Sequence, residues 1–197
     1  MLGGIFGAVG DISYKSKGSF WRAIGLDLIT RALLFISYPH HEVHAGRFYR
    51  AGFAFSLANG EEAALAFNSP AVGGREMHMS IELHMTASGT FTWLEDLTSF
   101  SGGATLVPKN HNRNSSNTSD ATGMVVGATG SNPVTLTGGN AIISTTFSVA
   151  RDVNPSRAAG EEFIIKSGSK NAFRYVNGTS ANFVHLILEW YEHTPKT

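Results

Sequence analysis

The stretch REMHMSIELHMTA, residues 75–87, decides the fold. Met77, Met79, Ile81, Leu83 and Met85 fall on one side of a two-residue period, and His78, Ser80, Glu82, His84 and Thr86 on the other. Only an extended chain sends alternate side chains to opposite faces, so this is a β-strand with its apolar face in a core. Its polar face is wet or shared with a neighbouring subunit. Downstream, ASGT reads as a tight turn into FTWLEDL, which makes 75–95 a hairpin. Upstream, Phe53, Phe55 and Leu57 alternate, as do Ala63, Leu65 and Phe67. Further strands are expected at 104–108, 122–127, 141–149, 161–166, 171–177 and 182–192. The last carries apolar residues on both faces, as a strand covered on both sides does. Between them lie SFSGG, NHNRNSSNTSD, TGSNPVTLTGG, RDVNPSRAAG and KSGSK, all with turn or loop chemistry. Many short strands spaced by polar loops predict an all-β fold, a β-sandwich of jelly-roll or Greek-key type.

Composition narrows the function. The chain has 197 residues, enough for one domain and an appendage. We expect an N-terminal arm at 1–35 and a jelly-roll-like β-sandwich at 36–197. Leu2, Ile5, Phe6 and Val9 would anchor the arm on a partner. Within it, Trp21, Ile24, Leu28 and Arg31 have helical spacing and Ser19 could cap the start, so a short helix is predicted over 19–31. With no cysteine, zinc fingers, thiol nucleophiles and disulfide frameworks are excluded. Fifteen basic residues balance fifteen acidic ones, so the chain lacks the charge that phosphate backbones select, and nucleic acid is not an expected partner. A neutral surface also tolerates close self-association. The first residues lack the basic region of a signal peptide. The longest apolar run, ALLFI at 32–36, is far too short for a membrane span.

Two polar clusters are the candidate sites. The first is HHEVH, residues 40–44. It is not the helical HExxH of zinc proteases. Pro39 precedes it and the local period is two, which predicts a strand with His40, Glu42 and His44 on one face. Two histidines and a carboxylate evoke a facial metal triad. On a straight strand the outer pair would stand about 13 Å apart, too far to share one ion without a bulge. The favoured reading is a set of polar contacts to a loop, a strand or another subunit. The second cluster, His111, Asn112, Arg113 and Asn114, reads either as a self-bonded turn or as a polar contact in which Arg113 forks a carboxylate of another subunit. His78 and His84 read as surface or interface histidines. Glu189, Glu192 and His193 end a strand and are expected to satisfy nearby backbone or the HHE segment. No nucleophile elbow, phosphate loop or dinucleotide fingerprint is present, so no catalytic residue, cofactor or metal ligand is assigned.

Four segments in order, HHEVHAGRFYR, NHNRNSS, EEFIIKSGSKNAFRYVNGTSAN and ILEWYEHT, resemble a family of tailed-bacteriophage auxiliary head proteins, the decoration or cement proteins of the capsid. The resemblance covers most of residues 36–194. It implies a jelly-roll body, a homotrimer, the major capsid protein as partner, no membrane, and a place on the virion surface after synthesis in the bacterial cytoplasm. It implies no catalytic residues. The expected subunit or capsid contacts are Phe6, Trp21, His40, Glu42, His44, His111, Asn112, Arg113 and Asn114. Two other classes compete. One is a head-fibre or tail module that binds host glycans, using Trp93 and exposed loops. The other is a cupin-like metalloenzyme built on His40, Glu42 and His44.

Overall fold

A computed structural model describes residues 24–26, 33–35, 38–153, 162–178 and 181–194. Strands β3 (Phe48–Leu57), β5 (Glu76–Met85), β8 (Lys109–Asn110), β11 (Arg151–Val153), β12 (Phe163–Ile165) and β14 (Asn182–His193) form one antiparallel sheet. Its order is β11-β5-β14-β3-β8, with β12 also pairing β5. The second antiparallel sheet runs β10-β6-β13-β4-β9-β7. Its members are β4 (Glu62–Asn68), β6 (Gly89–Gly102), β7 (Ala104–Thr105), β9 (Thr122–Ala128), β10 (Val134–Phe147) and β13 (Lys170–Asn177). The protein is an all-β sandwich. One core fills the space between the sheets, with Met79, Ile81, Leu83 and Trp190 from one and Leu65, Phe67 and Phe173 from the other, all fully buried. β5 alternates as its sequence requires, with every second residue buried from Met77 to Met85. β14 is central, between β5 and β3, in line with its two apolar faces.

The expected hairpin over 75–95 does not form, because β5 and β6 lie in different sheets. Residues 86–88 carry the chain across the sandwich. The buried Asn182 side chain holds them there. Its Oδ1 accepts from the backbone N–H of Thr86 and Ala87 at 3.0 Å each, and its Nδ2 donates to the Ala87 carbonyl. Gly89 then passes so close to the Tyr175 hydroxyl that a Cβ would collide with it. Local sequence announces the turn, but not which sheet receives the next strand.

The runs SFSGG and TGSNPVTLTGG, read as loops, are in part strand. β6 continues to Gly102 and β10 begins at Val134, and the two pair along their whole length, from Val134 opposite Gly102 to Phe147 opposite Gly89. Register shifts at 137/138 and 141/143, together with positive φ at Asp96, Gly138 and Gly139, bend this ribbon. Leu97, Phe100, Val134 and Leu136 on its far half pack with Ala64, Ala66 and Ala172 in a second apolar cluster, separate from the main core. Small alanine side chains permit that close approach. They also explain why β4 is buried at five successive positions, Ala63 to Phe67.

Two N-terminal readings change. The predicted helix over 19–31 is contradicted at Ile24–Leu26, which forms a strand, β1, paired antiparallel with β2 (Leu33–Phe35). Gly25 weakens a helix there, and the apolar ALLFI run offers a strand partner. The rest of that helix, Trp21 included, and the arm anchors Leu2, Ile5, Phe6 and Val9 lie outside the described residues. HHEVH is not a strand. Tyr38–His44 is a helix, α1. Pro39 sits in the first turn, where its missing N–H costs nothing. Gly46, at φ 67°, ends it. The Gly46 N–H bonds the Val43 carbonyl and the Arg47 N–H bonds the Glu42 carbonyl, the paired closure of a left-handed C-terminal cap.

Candidate functional site

The helix reverses the distance argument made for HHEVH. Residues four apart share a helix face, so His40 Nε2 and His44 Nε2 meet at 2.9 Å in the open. Glu42, two residues from each, points elsewhere. It is fully buried and takes Arg47 Nε at 2.7 Å and His41 Nδ1 at 3.1 Å. His40, Glu42 and His44 therefore do not converge on one point. The facial triad of the metalloenzyme reading is absent.

His44 and the asparagine cluster do come together. The last carbonyls of a helix lack partners within it. Here the 110–118 loop supplies them: Asn112 Nδ2 donates to the His44 carbonyl, Asn117 Nδ2 to the Ala45 carbonyl, and Asn110 Nδ2 to the Gly46 carbonyl at 2.8 Å. The loop also turns on itself, with the N–H of Asn112 on Asn110 Oδ1 and the N–H of Asn114 on Asn112 Oδ1. Arg113 reaches the Asn110 carbonyl at 3.4 Å. Tyr49 closes the loop by donating its hydroxyl to the Thr118 carbonyl at 2.9 Å, and burial followed by the Glu192 charge pushes its pKa up to about 12. Glu192 is the second buried carboxylate. It accepts from the Ser119 hydroxyl, the Asp120 N–H and Trp190 Nε1, while its own N–H bonds the Arg47 carbonyl. Both carboxylates hold the corner where α1, the loop and the end of β14 meet.

The outer face of the β5–β14–β3 sheet was not singled out as a site. His84 and His185 stand directly opposite each other, with ring centroids 5.8 Å apart. Burial, then His84 and then Arg50, hold the His185 pKa below its ordinary value. His111 lies against Phe48 and approaches Glu189 at 3.6 Å. Arg50, Gly52, Lys109, His185 and Ile187 line a shallow groove of about 290 Å³ beside the 106–109 segment. At one end of the same face, donor atoms of Glu76, His78 and His193 lie within 4.8 Å of one another, a grouping that could hold a metal ion. Burial first, and then the neighbouring His193, lower the His78 pKa. Sequence reasoning placed His78 on a polar face and His193 at a strand end. Without the register of β5 against β14 it could not put them together.

Trp93, the glycan-stacking candidate, is only 3% exposed, and its Nε1 donates to Asn171 Oδ1. Its ring belongs to the core and offers no platform to a sugar. Compared with known proteins, the chain matches no protein-family model and no curated protein sequence.

Proposed function

We propose that this chain is a structural virion protein, a decoration or cement protein that binds the outer surface of an icosahedral phage head as a homotrimer and stabilises it. The observation that carries the reading is the edge formed by β10. Among the described residues it ends its sheet, and it is mostly exposed along its 14 residues. Residues 121–150 contain no charged side chain. Monomeric proteins protect open strand edges with charge, because unpaired N–H and C=O groups recruit other chains. A long uncharged edge fits a protein whose partner covers it. A closed rotational trimer gives each copy the same contact, and attachment at several points multiplies weak contacts through effective concentration.

Two further features support the reading. Parts of all four segments behind the phage-head resemblance gather around the end of β14: α1, the 110–118 loop, Glu162, and His193 itself. Successive strands also cross between the sheets from β3 to β6 and again from β12 to β14, while β6 and β10 pair within one sheet. We read the sandwich as a jelly roll, a reading supported by the partial orders β3-β14-β5-β11 and β4-β13-β6-β10. The test is to purify the particles. The protein should be present in stoichiometric amount, sediment as a trimer when released, and leave stripped particles less tolerant of heat. Its presence in infected-cell lysate alone, never in particles, would overturn the proposal.

A further inference from the structure

We infer that Glu76, His78 and His193 form a binding site for a divalent transition-metal ion of the zinc class. The inference is independent of the capsid reading. The site arises from register: on β5, residues 76 and 78 share the outer face, and β14 sets His193 opposite Glu76 and Tyr191 opposite His78. His78 Nε2 and His193 Nε2 are 2.8 Å apart, and His193 Nε2 is 3.6 Å from Glu76 Oε2. Two ligands at about 2.1 Å in tetrahedral geometry stand about 3.4 Å apart, so a small opening of the histidine pair admits an ion.

Hydrogen bonding on the far side of each ring makes the case stronger than proximity does. His193 Nδ1 lies 2.8 Å from the Thr194 carbonyl oxygen, which can only accept, so Nδ1 carries the proton. His78 Nδ1 faces Glu162 Oε2 at 3.4 Å, and the Tyr191 hydroxyl holds that carboxylate at 2.6 Å. The two rings therefore turn their Nε2 atoms toward each other, with the Nδ1 side of each directed at a carbonyl or a carboxylate. A separation of 2.8 Å between ring nitrogens is bridged by a proton, or by a metal ion once the pair opens slightly. Metal-ligating histidines are oriented in this way, with the opposite N–H given to a carbonyl or a carboxylate. Two imidazoles and one carboxylate favour zinc-like ions over calcium or magnesium, which take oxygen donors. His193 is nearly buried, with its side chain 10% exposed, while that of Glu76 is 39% exposed, so the site sits at the surface with an inner wall. A bound ion would fasten the end of β14 to β5.

The rival occupant is a proton shared by the two rings. The rival location is the exposed His40–His44 pair, which no carboxylate joins in a metal-ligating group among the described residues. The full chain, stripped with a chelator that is then removed, is titrated with zinc chloride by calorimetry and by thermal melting. We expect one ion per chain, and a rise in Tm of roughly 5–10 °C at a hundredfold excess over Kd. Cobalt should give the intense visible bands of a tetrahedral site. Glu76→Gln, at a half-exposed position, and His193→Ala should each weaken binding at least tenfold, and Glu162→Gln by about 10–100-fold. The double variant His40→Ala/His44→Ala should bind as the native chain does. Failure of the native chain to take up zinc would leave the shared proton and overturn the inference. So would equal stabilisation by calcium, or binding lost in the His40/His44 variant and kept in Glu76→Gln.

Discussion

The corner around α1 and the edge along β10 resolve their polar groups in opposite ways. At the corner, three asparagine amides cap the carbonyls of residues 44–46, and two buried carboxylates collect Arg47, the Ser119 hydroxyl, the Asp120 N–H and the Trp190 indole. Along β10, the outer row of backbone groups has no neighbouring strand among the described residues, and no charged side chain guards it. The cluster that looks most chemical in the sequence is thus internally satisfied. The stretch that looks blandest, rich in Gly, Ser and Thr, holds the open bonding capacity. Polar residue types report where hydrogen bonds can form. Which bonds remain available to a partner depends on the fold.

The largest effect is expected at the corner. Arg47→Ala leaves the fully buried Glu42 carboxylate without its main partner, and breaking such a pair costs about 3–5 kcal/mol. Replacing both members, Arg47→Ala with Glu42→Gln, should recover part of that loss, because no unpaired charge is left behind. Chemical denaturation of the two variants measures both numbers. A single-variant loss below about 1 kcal/mol would mean that the carboxylate is solvated and the corner is looser than its geometry indicates.

The strand pattern of β5 was legible because methionine, isoleucine and leucine alternate with polar residues without a break. The centrality of β14 was legible because its outer positions include Ile187 and Tyr191. The α1 helix was written in the sequence as Pro39 and Gly46, start and stop signals seven residues apart. The apparent alternation of His40, Glu42 and His44 outweighed them, since seven residues hold too few turns to show a helical period. β6 and β10 were shortened because their Ser, Gly and Thr residues serve turns and exposed strands equally well. The Glu76–His78–His193 grouping was out of reach. Its histidines are 115 positions apart, and only the pairing of β5 with β14 joins them.

The edge should give a smaller stability effect and a larger effect on assembly. Ile142 is 48% exposed, beside the bulge in β10. Ile142→Lys places a charge on the edge and should change unfolding free energy by no more than about 0.5 kcal/mol, as for most surface substitutions. The same change should abolish self-association in analytical ultracentrifugation and attachment to stripped particles. If the variant assembles and attaches as the native chain does, the contrast between a closed corner and an open edge has no bearing on partners.

The smallest effect expected is on pH dependence. His185 is held below its ordinary pKa of 6.5, first by burial, then by His84 and Arg50. At His185 the folded state therefore binds less proton than the unfolded state between the lowered value and 6.5. Its contribution to stability is complete above about pH 6.5 and is lost as the pH falls through that window. His78 is shifted in the same direction, so the two must be separated. His185→Asn, melted with a chelator present to keep metal out of the neighbouring cluster, should lose less Tm than the native chain between pH 8 and pH 5, by on the order of a degree. An identical loss in the two proteins would assign the sensitivity to the His78 end of the face. The groove beside Arg50 would then carry no protonation-linked role.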